Sequence, residues 1–79
     1  MEIKFTRHLL RRLLYLRMEI SPEMIIDAIN KYDLIKPSQI PNRRLYFKFH
    51  PNKDKFLCVV VENSLWALTA YFIDKRRVI

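Results

Sequence analysis

His8, Arg11, Arg12 and Tyr15 follow one another at spacings of three, one and three residues, so on a helix they share a face. That stripe joins a titratable imidazole, two fixed cations and an aromatic ring. RNA-binding surfaces use these types: guanidinium groups for phosphates and stacking, a phenol ring against bases, an imidazole for proton transfer near neutral pH. The same spacing also describes the polar outer face of an amphipathic helix, and both readings stay open at this level.

A second set lies further on. Arg44, Tyr46, Lys48 and His50 alternate with Leu45, Phe47 and Phe49, so a strand there turns its cations and Tyr46 away from an apolar face. A sheet surface that interleaves cations with a ring can track a backbone and stack a base; an antiparallel sheet with one wet face has the same pattern. Metal-free RNA cleavage needs a base for the 2′-hydroxyl, an acid for the leaving group and cations for the phosphorane charge. His8, His50, Tyr46, Tyr71, Arg12, Arg44 and Lys48 include those types, though nothing in their spacing makes them converge.

Other chemistries are poorly served. The eight carboxylates are scattered, with no pair set for a two-metal site or glycoside hydrolysis. The single cysteine, Cys58, can form no internal disulfide, and no Cys/His cluster has metal-ligand spacing. Cys58 lies in the apolar run Phe56–Val61 and is expected to be a buried thiol. Glycine is absent, which removes phosphate loops and dinucleotide fingerprints. No metal and no cofactor are expected.

Fifteen Lys and Arg against eight Asp and Glu give a net charge of +7 in 79 residues. Such an excess favours encounter with polyanions, nucleic acid or an acidic protein. The length gives one domain, residues 1–79. A chain this short buries only about 60–65% of its unfolded surface, so self-association into a homo-oligomer would help it. Its hydrophobic residues, 51% of the total, suffice for a core. No stretch approaches the ~18–20 apolar residues of a membrane span, and Arg11, Arg12 and Arg17 interrupt the N-terminal leucines before a secretory segment forms. A cytoplasmic protein without a membrane partner is expected.

The elements that must position these residues can be read from caps and periodicity. Thr6 caps a first helix over about Arg7 to Met18, with an apolar face of Leu9, Leu10, Leu13, Leu14 and Leu16. Ser21-Pro22 starts a second: serine caps, proline takes the first turn, and Glu23 faces the positive end of the dipole. That helix ends near Tyr32. Asp33–Asn42, with Pro37 and Pro41, reads as an extended connection. Three strands follow at Arg44–His50, Lys55–Glu62 and Leu65–Ile73, separated by turns at Pro51–Asp54 and Asn63–Ser64. The fold class expected is α+β, two N-terminal helices on a three-stranded antiparallel meander.

The run Phe5-Thr6-Arg7-His8-Leu9-Leu10-Arg11-Arg12, then Arg17, then Ile20-Ser21-Pro22-Glu23-Met24-Ile25, resembles the opening of a prokaryotic domain-of-unknown-function family, number 4258. That family closes on an apolar-apolar-Thr-apolar-Tyr strand, matched by Ala67-Leu68-Thr69-Ala70-Tyr71. It usually carries Gly before Ile-Ser, where this chain has Met18-Glu19 and a junction about two residues longer. The family is similar to the RelE, ParE and BrnT toxins, small basic folds that act as ribonucleases or gyrase poisons. The resemblance implies a RelE-like fold and an RNA-directed, toxin-like module, with metal-independent endoribonuclease chemistry as its sharpest form. His8, Arg12, Arg17, Thr69 and Tyr71 then occupy the family's marked positions. His8 and Tyr71 would transfer protons, while Arg11, Arg12, Arg17, Arg44, Tyr46 and Lys48 would hold nucleic acid. The alternatives are a non-catalytic nucleic-acid-binding protein, or an interaction module docking an acidic partner such as an antitoxin. The catalytic form requires the helix stripe and the sheet cations to meet in one cleft.

Overall fold

The computed structural model describes residues 2–15 and 19–78. Its elements in chain order are β1 (Lys4–Phe5), α1 (Arg7–Tyr15), α2 (Pro22–Asn30), β2 (Leu34–Pro37), β3 (Arg43–His50), β4 (Lys55–Glu62), β5 (Trp66–Asp74) and a 3₁₀ turn at Lys75–Arg77. The strands form one sheet in the order β1-β5-β4-β3-β2. The β3-β4-β5 meander is antiparallel, β2 adds antiparallel to β3, and β1 pairs parallel with β5.

The expected three-stranded antiparallel sheet is therefore corrected to a five-stranded mixed sheet. Both added strands are edges. β1 has two residues, too few for any periodicity, and exists because Lys4 and Phe5 pair with Trp66 and Ala67. β2 lies within the segment expected to be a connection. All four of its residues are exposed, and Pro37 ends it, a position that an edge strand tolerates because proline's missing N–H leaves no inner ladder bond unmade. A lysine and a proline on this edge also discourage pairing with a further strand.

Local chemistry explains the helix starts. Thr6 Oγ1 accepts from Leu9 N (3.2 Å) and donates to Leu68 O (3.4 Å), so one hydroxyl both caps α1 and ties it to β5. Ser21 Oγ accepts from Met24 N (3.2 Å), while Ser21 N donates to the Met24 sulfur (3.5 Å). This is a capping box in which a thioether replaces the usual Glu or Gln. The described part of α1 ends at Tyr15; the expected continuation through Leu16, Arg17 and Met18 lies outside the described residues.

With no glycine available, the turns use residues that tolerate positive φ. Pro41-Asn42 forms a tight turn, with Arg43 N donating to Ile40 O (3.4 Å) and Asn42 at φ 67°. Asn63 and Ser64, at φ 54° and 56°, make the two-residue β4–β5 hairpin turn, whose twist demands positive φ at both positions. Asp54, at φ 55°, closes the β3–β4 turn.

The sheet is covered on both faces. On one, Leu9, Ile20, Ile25, Ala28 and Ile29 pack with Tyr46, Leu57, Val59, Val61, Ala67 and Ala70. On the other, Phe47, Phe56 and Cys58 pack with Val78, which the 3₁₀ turn brings across. Lys36 Nζ holds that segment by donating to Val78 O (2.6 Å). β4 is the central strand, buried from Phe56 to Val59 and again at Val61. Cys58 is fully buried. The two faces also correct the expected wet side of β3: Tyr46 is only 6% exposed, in the helix-side core with its ring edge-on to Tyr32 at 5.4 Å. No helix among the described residues is long and apolar enough to cross a membrane.

Candidate nucleic-acid interface

Helix α1 reads Arg-His-Leu-Leu-Arg-Arg-Leu-Leu-Tyr and holds no carboxylate. It is anchored by Leu9, fully buried, and by Leu13 against the same core. That anchoring turns Arg7, His8, Arg11 and Tyr15 to solvent, with Tyr15 73% exposed. Arg12 lies between solvent and sheet, and its Nη1 donates to Thr69 Oγ1 on β5 at 2.8 Å. Just before the helix, Lys4 sits over the Trp66 ring, 5.6 Å from its centroid. Thr69 and Tyr71 are two residues apart on β5 and share a face.

The charge around this surface is uncompensated. Six ion pairs form among the described residues: Lys31–Asp27, Arg43–Glu62, Lys48–Asp33, Lys53–Glu19, Lys75–Asp54 and Arg76–Asp74. None involves β1 or α1. Placing cations there does not help the helix. Arg7 and His8 sit at the end where the macrodipole disfavours positive charge, at a cost of about 0.3–1 kcal/mol per full charge, and Arg7–Arg11 is a like-charge pair one turn apart, costing about 0.2–0.5 kcal/mol. The packing of Leu9 outweighs both terms, at about 1.5–3 kcal/mol for one buried leucine.

The remaining expected site residues are dispersed. Tyr71 pairs across the strands with Cys58, on the face opposite the helices, whereas Tyr46 belongs to the helix-side core. Hydrogen bonding to the Cys58 thiol, then burial, pushes the Tyr71 phenol up to about 12. Burial likewise pushes the thiol up, against the opposing effect of the Tyr71 bond. A phenol held so firmly neutral offers a hydrogen bond and a ring; it is a poor proton shuttle near pH 7. Lys48 Nζ is 3.9 Å from Asp33 Oδ1 at one end of β3, while Arg44 lies near the other end, exposed and without a carboxylate partner among the described residues. His50 is turned inward, edge-on to Phe72 at 5.7 Å, with Nε2 buried and lacking a hydrogen-bond partner among the described residues. Arg17 lies outside the described residues.

Thus His8, Arg11 and Arg12 are grouped on α1, and Arg12 is joined to the β5 strand that carries Tyr71. Arg44, Tyr46 and Lys48 are not brought to them in a common cleft. Lys4 and Arg7 belong to the basic surface and were missed from the sequence; the signal for them was a first helix without a single acid. No family model, no curated protein and no solved structure matches this chain. Fold and surface together define a small basic α+β domain with one acid-free helical face.

Proposed function

We propose that the chain is an RNA-directed binding module whose contact surface is β1 and α1, with Lys4, Arg7, Arg11 and Arg12 on phosphates and His8 and Tyr15 against bases. The observation that carries this reading is that all six ion pairs lie elsewhere, leaving the cations of β1 and α1 without a carboxylate partner among the described residues. RNA is preferred over DNA on the resemblance to family 4258 and its toxin-like relatives, and the reading implies action in the cytoplasm. Binding is preferred over turnover because the would-be acids, bases and phosphate cations are split between two faces of the sheet.

Endoribonuclease activity is the second reading. His8 stands one helical turn from an arginine anchored on Thr69, which favours it. One experiment addresses both. Single-stranded RNA binding measured over a salt series should fall with a log–log slope of about −3 for four phosphate contacts, at roughly −0.7 each. Arg7→Gln with Arg11→Gln should flatten it by about 1.4. A slope unchanged by that variant would remove α1 from the interface. Cleavage by wild type that disappears in His8→Ala, with RNA still bound, would reinstate catalysis.

A further inference from the structure

Two turns meet at one end of the sheet. Asn63 N in the β4–β5 turn donates to Asn42 O in the turn before β3, at 2.8 Å. Beside this bond lies a small cavity of about 140 Å³, lined by Asn42, Arg44, Tyr46, Val61, Asn63 and Ser64. Small-molecule sites run to about 300–1,000 Å³, so this one suits a single functional group.

Its lining is selective. The residues around it carry one guanidinium, two carboxamides and two hydroxyls and no carboxylate, with Asn42, Arg44, Asn63 and Ser64 exposed at its rim. Arg44 has no ion-pair partner among the described residues. Tyr46 is 6% exposed, and its hydroxyl, which bonds no protein group among the described residues, is not one of their buried polar atoms left without a partner, so it keeps access to solvent. A fixed positive charge surrounded by hydrogen-bond donors is the chemistry of an oxyanion site.

We infer that this cavity binds one phosphate-type oxyanion, with Arg44 supplying the charge and Tyr46, Ser64, Asn42 and Asn63 donating hydrogen bonds. Arg44 also borders a second cavity with Ile35, Lys36 and Pro37, which leaves room for a substituent on the phosphate. Arg44, Val61, Ala67 and Phe5 lie in one row across β3, β4, β5 and β1. That row spans three strand spacings, about 14 Å, so an oligonucleotide seated on β1 could reach the pocket. The oxyanion site itself does not depend on the α1 surface.

The test is an NMR titration at constant ionic strength with inorganic phosphate, a nucleoside 5′-monophosphate and a 5′-phosphorylated oligoribonucleotide. Saturable shifts confined to residues 42–46 and 61–64 are expected with at least one of them, and the tightest of the three identifies the source. Arg44→Gln should weaken binding roughly tenfold or more, and Tyr46→Phe, which keeps the buried ring, roughly three- to tenfold. Ser64→Gly should raise Tm, since glycine suits its positive φ, while weakening the oxyanion. Absence of saturable shifts with all three probes, or equal affinity in Tyr46→Phe, would overturn the site. Arg7→Gln with Arg11→Gln should leave the phosphate shifts intact; their loss in that variant would also overturn it. Failure of the α1 reading would show separately, in the salt slope.

Discussion

Tyr71 and Cys58 face each other across β4 and β5; the thiol raises the Tyr71 phenol, whereas burial raises the thiol against the opposing effect of the phenol. For an acid whose folded value lies above its unfolded one, the neutral form belongs to the folded state. The associated stability is therefore complete below the unfolded value of 10.0 and is lost as pH rises through about 12. Ultraviolet titration should show a phenol, Tyr71, that ionises well above the ordinary value of 10.0. Cys58→Ala should return it toward 10, and a late phenol that ignores this substitution would exclude the thiol as its cause. At the other extreme, the Arg76 side chain and then its backbone N–H pull the Asp74 carboxyl down to about 2. Asp74 Oδ1 accepts from Arg76 N at 2.9 Å, which caps the 3₁₀ turn.

Helix α2 depends on its first turn. Ser21 caps, Pro22 opens, Glu23 meets the dipole, and the Met24 sulfur returns a weak bond to the Ser21 N–H. Nine residues are too few for an isolated helix to persist in water, so this cap and the burial of Ile25, Ala28 and Ile29 must hold it. Ser21→Ala should cost about 1 kcal/mol in urea unfolding, with RNA affinity unchanged because α2 carries no proposed contact. Helix α1 is held by Leu9 and the Thr6 cap, so its arginines can face solvent and its charge can be altered without dismantling the core.

Covering both sides of a five-stranded sheet in so few residues requires the C-terminal segment as well as the helices. Val78, 4% exposed, lies over Phe47, Phe56 and Cys58, and Lys36 from the far edge strand ties it down. Val78→Ala should lower stability by about 1–2.5 kcal/mol. It should also speed labelling of the Cys58 thiol by a disulfide reagent, since local opening of this cover is the shortest route to that sulfur. Labelling at the wild-type rate would mean that the thiol is reached by an opening that leaves Val78 in place. The molecule's charge is divided at the same scale: all six ion pairs lie outside β1 and α1, where Lys4, Arg7, Arg11 and Arg12 cluster without a carboxylate partner among the described residues, while Lys36, Arg44, Lys55 and Arg77 stand unpaired singly elsewhere.

Features set by neighbours along the chain are legible in the residues alone. The Ser21-Pro22 start, the Thr6 cap, the hairpin turns at Pro51–Asp54 and Asn63–Ser64, the buried β4 run and the enclosed Cys58 all follow from interactions spanning a few residues. The edge strands do not. Lys4–Phe5 is a strand only because Trp66 and Ala67 offer it a ladder, and Leu34–Pro37 only because β3 does; backbone hydrogen bonds to a distant segment leave no local mark. The burial of Tyr46 was decided in the same way, by the helices packed on its face of the sheet, where alternation alone suggested a wet side. Arg12 and Thr69, 57 residues apart, meet for that reason too. Composition established how much positive charge the chain carries, and only the tertiary placement of six carboxylates determined where that charge is left free.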